Sequence, residues 1–458
     1  MFIGRQEELK LIEELLQRDS ASMMVYGKRK VGKTTLLTHA LKGSKDKTVY
    51  YECVKAPLKD NIQNFTKRLV EEGVISVELS FNTWQDVFSF LSTTAGKLNI
   101  VIDEYPYLKK FEPSETVDSI FQNVIDNHIS NVRLFLSGSH VGMMKDLLDE
   151  NNALYGRFDK VIKLKELNYV ETANFYSEKS IYDRVALFAI FGGSPFVNKS
   201  IDVHKTLKEN IVNTLLNSAS AVSNYAEHLL MSDFSSSNNA ERILFAIANG
   251  KKKHGDIEKK LDMEKNGLLS KQLKTLLDMD LVSKTYPINA KDDKKKVYYE
   301  ITDNLLRFYY SYVYSNKSAL QMLGADSFYD AYIEPSIITF ISHRFEEMCR
   351  TYFSLLAKSG KLKGVLDIGT YYYDDSVRRK NGEFDIALKR VNGYDIYEAK
   401  YYRDILTEKE MLKEEKQVFE ISTLNIKKIG FITVSGVEKK LDKFEYIDGN
   451  QLYFLSSD

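Results

Sequence analysis

The sequence predicts an α/β fold spread over several domains, and three observations carry that expectation. The chain has 458 residues, and single hydrophobic cores stop growing at roughly 250 to 300 residues before chains divide. From Phe2 to about Arg157, short apolar runs ("SMMVYG", "KTVYYECV", "LNIVIDEY", "NVRLFLSGS") alternate with amphipathic stretches such as "KTTLLTHAL". That is the pattern of parallel strands covered by helices on both faces. Towards the other end, "FDIALKR", "YDIYEAK" and "KIGFITV" read as strands set among helices, a second α/β domain.

Composition narrows the class. Hydrophobic residues make up 43% and charged residues 28% of the chain, the mix of a globular protein with a packed core. Lys plus Arg and Asp plus Glu are both 64, so no global field pulls the chain onto nucleic acid or an anionic membrane, and any basic surface is local. Cys53 and Cys349 form no CxxC pair and no disulfide framework, which fits a reducing cytoplasm. No HExxH pair suggests zinc. The opening "MFIGRQEELKLIEELL" is charged and amphipathic, unlike the apolar core of a signal peptide, and no run of about 18 apolar residues suggests a spanning helix. A cytoplasmic protein without membrane contact is expected.

In chain order, residues 1–163 form the first α/β domain. Residues 164–236 read as a helical lid, punctuated by "FGGSP" at Phe191 to Pro195, and the polar "SDFSSSNN" from Ser232 to Asn239 reads as a linker. Residues 237–316 give the helices "AERILFAIA", "DIEKKL" and "NGLLSKQLKTLLDM", then strands "LVSKTYPI" and "KVYYEIT" around "NAKDDKKK", a winged helix-turn-helix pattern. The tyrosines of "RFYYSYVY" at helical spacing are expected in the core. Residues 327–458 begin with the helix "SIITFISHRFEEMCRTYFSLLAK" and carry the second sheet, with the charged helix "TEKEMLKEEKQVFEIS" between its last two strands.

One loop carries chemistry. "GKRKVGKT" (Gly27, Lys28, Arg29, Lys30, Val31, Gly32, Lys33, Thr34) matches G-x-x-x-x-G-K-[ST] in full and lies between the strand "SMMVYG" and the helix "TTLLTHAL", which starts with Thr34 and Thr35. Phosphate is best held by several backbone N–H groups pointing inward at a helix N-terminus, and glycines allow the wrap. Lys33 then reaches the terminal phosphates of ATP, and the Thr34 hydroxyl ligates Mg²⁺. "NIVIDE" supplies the acidic partner: Asp103 for the metal, Glu104 to orient or deprotonate an attacking water. Ser137 and Ser139, ending "RLFLSGS", are candidates to read the γ-phosphate, and Arg157 of "YGRF" is a candidate arginine finger, the alternative being a surface salt bridge. Ser139 and His140 lack a GxSxG elbow and a spaced acid, which excludes a hydrolase triad.

With "FIGRQEEL", "IDEYPYL", "LSGSHVGMM" and "LYGRF", the first 315 residues or so resemble the archaeal-type ATPases of the STAND group, relatives of the AAA+ proteins. The resemblance implies a P-loop NTPase sheet, a helical lid and a winged helix, and it gives the segment from Phe2 through Gly4 and Arg5 a role at the adenine.

In the last domain Asp385 sits on one strand and Glu398 and Lys400 on the next, on one face by alternation, with a hairpin at "NG" to bring Asp385 beside them. Two carboxylates and a lysine can bind Mg²⁺ and neutralise a phosphodiester transition state. The arrangement resembles the PD-(D/E)XK nuclease core, with Glu346 or Glu347 from the first helix and Lys416 or Gln417 from the later one. The alternative is a sheet whose outer face carries solvated charges.

In the winged-helix segment, Leu268, Leu269, Leu273, Leu276 and Leu277 are expected on one helix face and Lys271 and Lys274 on the other. With Lys251 to Lys253 and Lys294 to Lys296 these lysines suit DNA phosphates; the alternative is a protein-docking module. Two functions result: a Mg²⁺-dependent ATPase controlling a DNA-binding winged helix and a nuclease-like domain, in DNA processing or defence, or a nucleotide-driven signalling switch whose C-terminal domain only holds a partner. Homo-oligomerisation fits either.

Overall fold

The computed structural model describes residues 2–228, 238–263, 267–375, 380–420 and 424–454. The chain divides into two compact units: Met1–Leu167 with Ser194–Phe196 and Asp278–Asp280, and Asn168–Gly193 with Val197–Leu277 and Leu281–Asp458.

The first unit is built on β1 (Ala21–Tyr26), β2 (Lys47–Glu52), β3 (Leu98–Asp103), β4 (Val132–Gly138) and β5 (Lys160–Lys163), ordered β2-β3-β4-β1-β5. Every pairing is parallel. β1, β3 and β4 are buried along their whole length. Even so, period-two alternation sorts their side chains between two layers. Met23, Val25, Val101 and Phe135 pack under the helices Gln6–Leu16 and Lys33–Leu41 through Ile12, Leu15, Leu36 and Leu37. Met24, Ile100, Ile102, Leu134 and Leu136 pack on the other side against Phe65, Phe88 and Phe121 of Leu58–Glu71, Trp84–Thr94 and Ser114–Asn127. In such open sheets ligands bind outside the carboxyl ends of the strands. β5 was not among the strands read from sequence, because "KVIK" is short and its only buried side chain is Ile162.

The second unit opens with short helices, of which Ile181–Phe191 is the most buried. Helices Asn238–Ala248, His254–Leu261 and Leu268–Asp278 precede an antiparallel pair, β6 (Val282–Thr285) and β7 (Tyr298–Ile301), with Val282 opposite Ile301. Of the expected apolar face, Leu269, Leu273 and Leu276 are buried, but Leu268, the first residue of the helix, is 41% exposed. The serine-rich linker, apart from Asn238 and Asn239, lies outside the described residues, as do Lys265 and Asn266. Tyr309, Tyr310 and Tyr312 of the tyrosine run are buried in the core, while Tyr314 is half-buried.

The long helix Ile337–Lys358 leads into a second sheet of β8 (Asp367–Asp375), β9 (Lys380–Arg390), β10 (Gly393–Lys400), β11 (Ile426–Thr433) and β12 (Glu445–Asp448), ordered β12-β11-β10-β9-β8. β8, β9 and β10 run antiparallel, while β10, β11 and β12 run parallel. The helix Glu408–Phe419 makes the β10–β11 crossover and buries Met411 and Val418 against Phe384, Ala387, Ile396 and Phe431. Among the described residues, no helix is long and apolar enough to cross a membrane.

Candidate functional site

The loop from β1 to the helix Lys33–Leu41 is shaped by glycines at two points. A Cβ on Gly27 would stand 2.3 Å from the Leu164 carbonyl oxygen, and Gly32 has φ of 101°. The helix starts at Lys33, and no side chain caps it at Gly32. Lys33 is buried and its Nζ donates to the carbonyls of Gly27 at 2.9 Å and Lys28 at 3.1 Å. Val31 packs into the core while Lys30 and Thr35 are exposed.

At the end of β3, Asp103 is 4% exposed. Its Oδ2 accepts the Thr34 hydroxyl at 2.9 Å and also the Tyr50 phenol from β2, and its Oδ1 accepts the Glu104 amide at 2.9 Å. Burial, reinforced by Asp103, pushes the Tyr50 phenol far above its usual range, so it stays a donor. Glu104 has φ of 52°, a left-handed backbone, and its Oε2 accepts the Ser139 hydroxyl at 2.8 Å and amide at 3.1 Å. Glu52 lies opposite Asp103 in the β2–β3 register. Its carboxyl is raised by burial and then by Asp103 and Glu104, the mark of a negative field. A hydroxyl and carboxylates are hard oxygen donors in a negative pocket, and they fit Mg²⁺.

Of the two expected serines, Ser139 touches Glu104; Ser137 is fully buried, and its hydroxyl has no hydrogen-bond partner among the described residues. Arg5, 6% exposed, donates to the Val31 carbonyl at 3.0 Å and so ties the "FIGR" segment to the loop, while Gly4 and Arg5 both have positive φ. Phe2 stacks on His39 at 4.0 Å. Arg29 donates to Tyr107 Oη at 3.1 Å, and Lys30 lies 4.8 Å from the Phe196 ring centre. Arg157 is not brought to the carboxylates: it pairs with Asp126 at 3.1 Å and donates to the Tyr155 carbonyl. Tyr50 and Glu52 were missed by the sequence reading; their only signal is their position on the strand beside "NIVIDE".

In the second sheet, Lys400 Nζ lies 2.7 Å from Glu398 Oε1 and 3.4 Å from Glu414 Oε1 of the crossover helix. Glu414 was not anticipated; of the helix residues that were, Gln417 donates to Tyr373 Oη and Lys416 is exposed. Asp385 is pushed up to about 8, first by burial and then by Glu346, Glu398 and Glu383. Burial also raises Glu398, against the pull of Lys400. Glu346 pairs with His343 Nδ1 at 3.3 Å, whereas Glu347 turns to Arg307 and Arg344, so Glu346 is the helix carboxylate that Asp385 feels. These acids do not close into a cage: among the described residues, no three His, Cys, Asp or Glu side chains gather tightly enough to hold a metal ion. Near β6 and β7, Lys251, Lys253, Lys271, Lys274 and Lys295 are exposed, and Lys252 pairs with Glu300 at 2.8 Å.

Residues 2–196 match a family described as "ATPase domain predominantly from Archaea". Residues 309–415 match one described as "Archaea bacterial proteins of unknown function". An uncharacterized protein of Methanocaldococcus jannaschii is 28% identical over 380 residues, covering 81% of this chain and 82% of that one. A Walker-type ATPase of Pyrococcus abyssi is similar in structure, with a TM-score of 0.52 at 20% identity over 68% of this chain and 96% of the other. The Aeropyrum pernix ORC2 protein gives a TM-score of 0.46 at 13% identity, over 69% and 94%. The first unit thus carries an α/β fold of the P-loop ATPase kind, and a separate mixed sheet lies in the C-terminal part.

Proposed function

We propose that the protein is a cytoplasmic, Mg²⁺-dependent ATPase whose nucleotide-binding unit controls a DNA-binding winged helix and a PD-(D/E)XK nuclease-like domain, in DNA processing or defence. The observation that carries the reading is the contact of Thr34 with Asp103 beside a glycine-shaped loop, with Glu104 held next to it by Ser139.

In this reading the amides of residues 27–35 and Lys33 bind the phosphate tail, and Lys33 exchanges its loop carbonyls for phosphate oxygens. Thr34 and Asp103 hold Mg²⁺, which when bound neutralises charge on the phosphates. Tyr50 fixes the rotamer of Asp103. Glu104 takes the proton of the attacking water, and Ser139 sets its direction. Arg5 anchors the adenine-side segment to the loop. Arg157, paired with Asp126, acts as a finger only if that pair opens. In the other unit the exposed lysines near β6 and β7 meet DNA phosphates, and Glu346, Asp385, Glu398 and Lys400 are the nuclease-like set. Steady-state ATP hydrolysis and nucleotide binding test the ATPase: Lys33→Ala abolishes binding, while Glu104→Gln binds ATP without turnover. Wild-type turnover in both variants overturns it.

A second reading has its own support. Lys400 is saturated by two carboxylates, as suits a STAND-type switch whose C-terminal domain holds a partner protein or nucleic acid without cutting it. Light scattering with and without ATP separates the two, since the switch predicts a nucleotide-dependent change of oligomeric state.

A further inference from the structure

A cavity of about 330 Å³ lies inside the second unit, where the helix Asn238–Ala248 and β7 face the helix Ile337–Lys358 and strands β8 and β9. The phosphate loop contributes nothing to it. Its volume is at the lower end of small-molecule pockets, which run from roughly 300 to 1,000 Å³; it admits one nucleotide and no duplex.

The walls are chemically mixed. Lys252 and Arg307 come from the segment around β6 and β7, Arg344 and Arg350 from the long helix, and the rings of Phe340 and Tyr372 supply flat apolar surface. The carboxylates Glu346 and Asp385 open onto the same space. Most of these cations are engaged: Lys252 with Glu300, Arg307 with the Ile301 carbonyl and Glu347, and Arg350 with the Asp385 carbonyl at 2.7 Å. Arg344 differs. It is 9% exposed, one of its terminal nitrogens meets Glu347 at 3.2 Å, and its Nε has no hydrogen-bond partner among the described residues. Arg344 and Arg350 both line the cavity, and guanidinium groups pair with phosphate oxygens.

We propose that this cavity binds a nucleoside phosphate, with Arg344 and Arg350 on the phosphate, Phe340 or Tyr372 against the base, and Lys252 from the winged-helix segment closing the entrance. The inference deepens the nuclease-like reading and rests on it for the class of ligand: a phosphate seated beside Glu346 and Asp385 is a strand's own phosphate presented to the carboxylates. Base stacking on aromatic rings tolerates any sequence, so the site reads a nucleotide and not a motif.

The test uses the full chain in EDTA, so that no strand is cut. Fluorescence anisotropy follows a short single strand with a 5′-phosphate and the same strand with a 5′-hydroxyl, and AMP is measured on Lys33→Ala to remove binding at the phosphate loop. Preference for the 5′-phosphate, lost about tenfold in Arg344→Lys, supports the site with a strand end as its ligand. AMP binding lost to the same degree, with the two strands bound alike, supports it with a free nucleotide. Lys252→Ala, at a side chain 42% exposed, guards against misfolding and is expected to weaken the same probe. If no probe binds, or if neither variant changes any affinity, the proposal is overturned. Should wild type leave DNA uncut in Mg²⁺ while Arg344-dependent binding persists, the nuclease-like reading falls and the site stands.

Discussion

Thr34 gives its hydroxyl to Asp103 at 2.9 Å, and Tyr50 gives its phenol to the same carboxylate oxygen. A residue from the phosphate loop and one from the neighbouring strand therefore meet on a single atom of the proposed metal ligand. Groups that orient a ligand typically matter by roughly 10- to 100-fold in metal affinity. Tyr50→Phe is expected to raise the Mg²⁺ concentration needed for half-maximal ATPase by about tenfold with nucleotide affinity unchanged. An unshifted Mg²⁺ titration would show that Tyr50 is only filling space.

Ser139 makes two hydrogen bonds to one oxygen of Glu104. Only the hydroxyl is lost in Ser139→Ala, so turnover should fall by about tenfold while KM stays close to wild type. Glu104→Gln removes the base itself, and general-base catalysis contributes roughly 10²- to 10⁴-fold. Steady-state kinetics on both variants checks the ranking; equal losses would place Ser139 in the chemistry and not behind it.

Gly27→Ala sets a methyl group 2.3 Å from the Leu164 carbonyl oxygen. The obstacle is backbone and cannot swing away, so the loop must shift, at ~1–3 kcal/mol. A lower melting temperature together with lost ATP binding is the expected outcome. A variant that melts like wild type would mean that the loop has another arrangement of similar energy.

Asp385, pushed up to about 8, gives a pH test. Its carboxyl in an unfolded chain titrates near 3.9. Between those values the folded protein keeps a proton that the unfolded chain has released, so this group's contribution to stability is full below about pH 4 and lost as pH rises through about 8. Asp385→Asn has no such proton. Its melting temperature should exceed that of wild type at pH 8 and approach it near pH 4; two parallel melting profiles across this window would contradict the assignment.

Lys400 is expected to matter for cutting and for folding. Lys400, Glu398 and Glu414 are only 20%, 19% and 22% exposed, so Lys400→Ala leaves two largely buried carboxylates without their cation and should lower the melting temperature, which Lys400→Arg should keep. Plasmid cleavage in Mg²⁺ or Mn²⁺ should disappear. Cleavage that survives the substitution would remove Lys400 from the proposed set.

The phosphate loop was legible because its chemistry is local: spacing, a strand before it and a helix after it suffice. Interior strands were legible for a related reason, since continuous burial writes an apolar run. Edge strands write less. β8 carries "TYYYD", whose tyrosines sit half-buried without alternation, and β12 is short and only lightly buried. Contacts across strands leave no trace in a single sequence: Glu52 meets the acidic cluster through the β2–β3 register, and Tyr50 reaches Asp103 from a separate strand. Helix phase decided the rest. Glu346 and Glu347 are adjacent in sequence yet turn to different partners, and Glu414, not Lys416 or Gln417, is the crossover residue that reaches Lys400.

The left-handed backbone of Glu104 costs an L-residue about 1–2 kcal/mol, a penalty from which glycine is exempt. Glu104→Gly would relax the turn yet forfeit, with the carboxylate, both hydrogen bonds from Ser139, so the strain at this corner is offset by the same contacts that aim the acid.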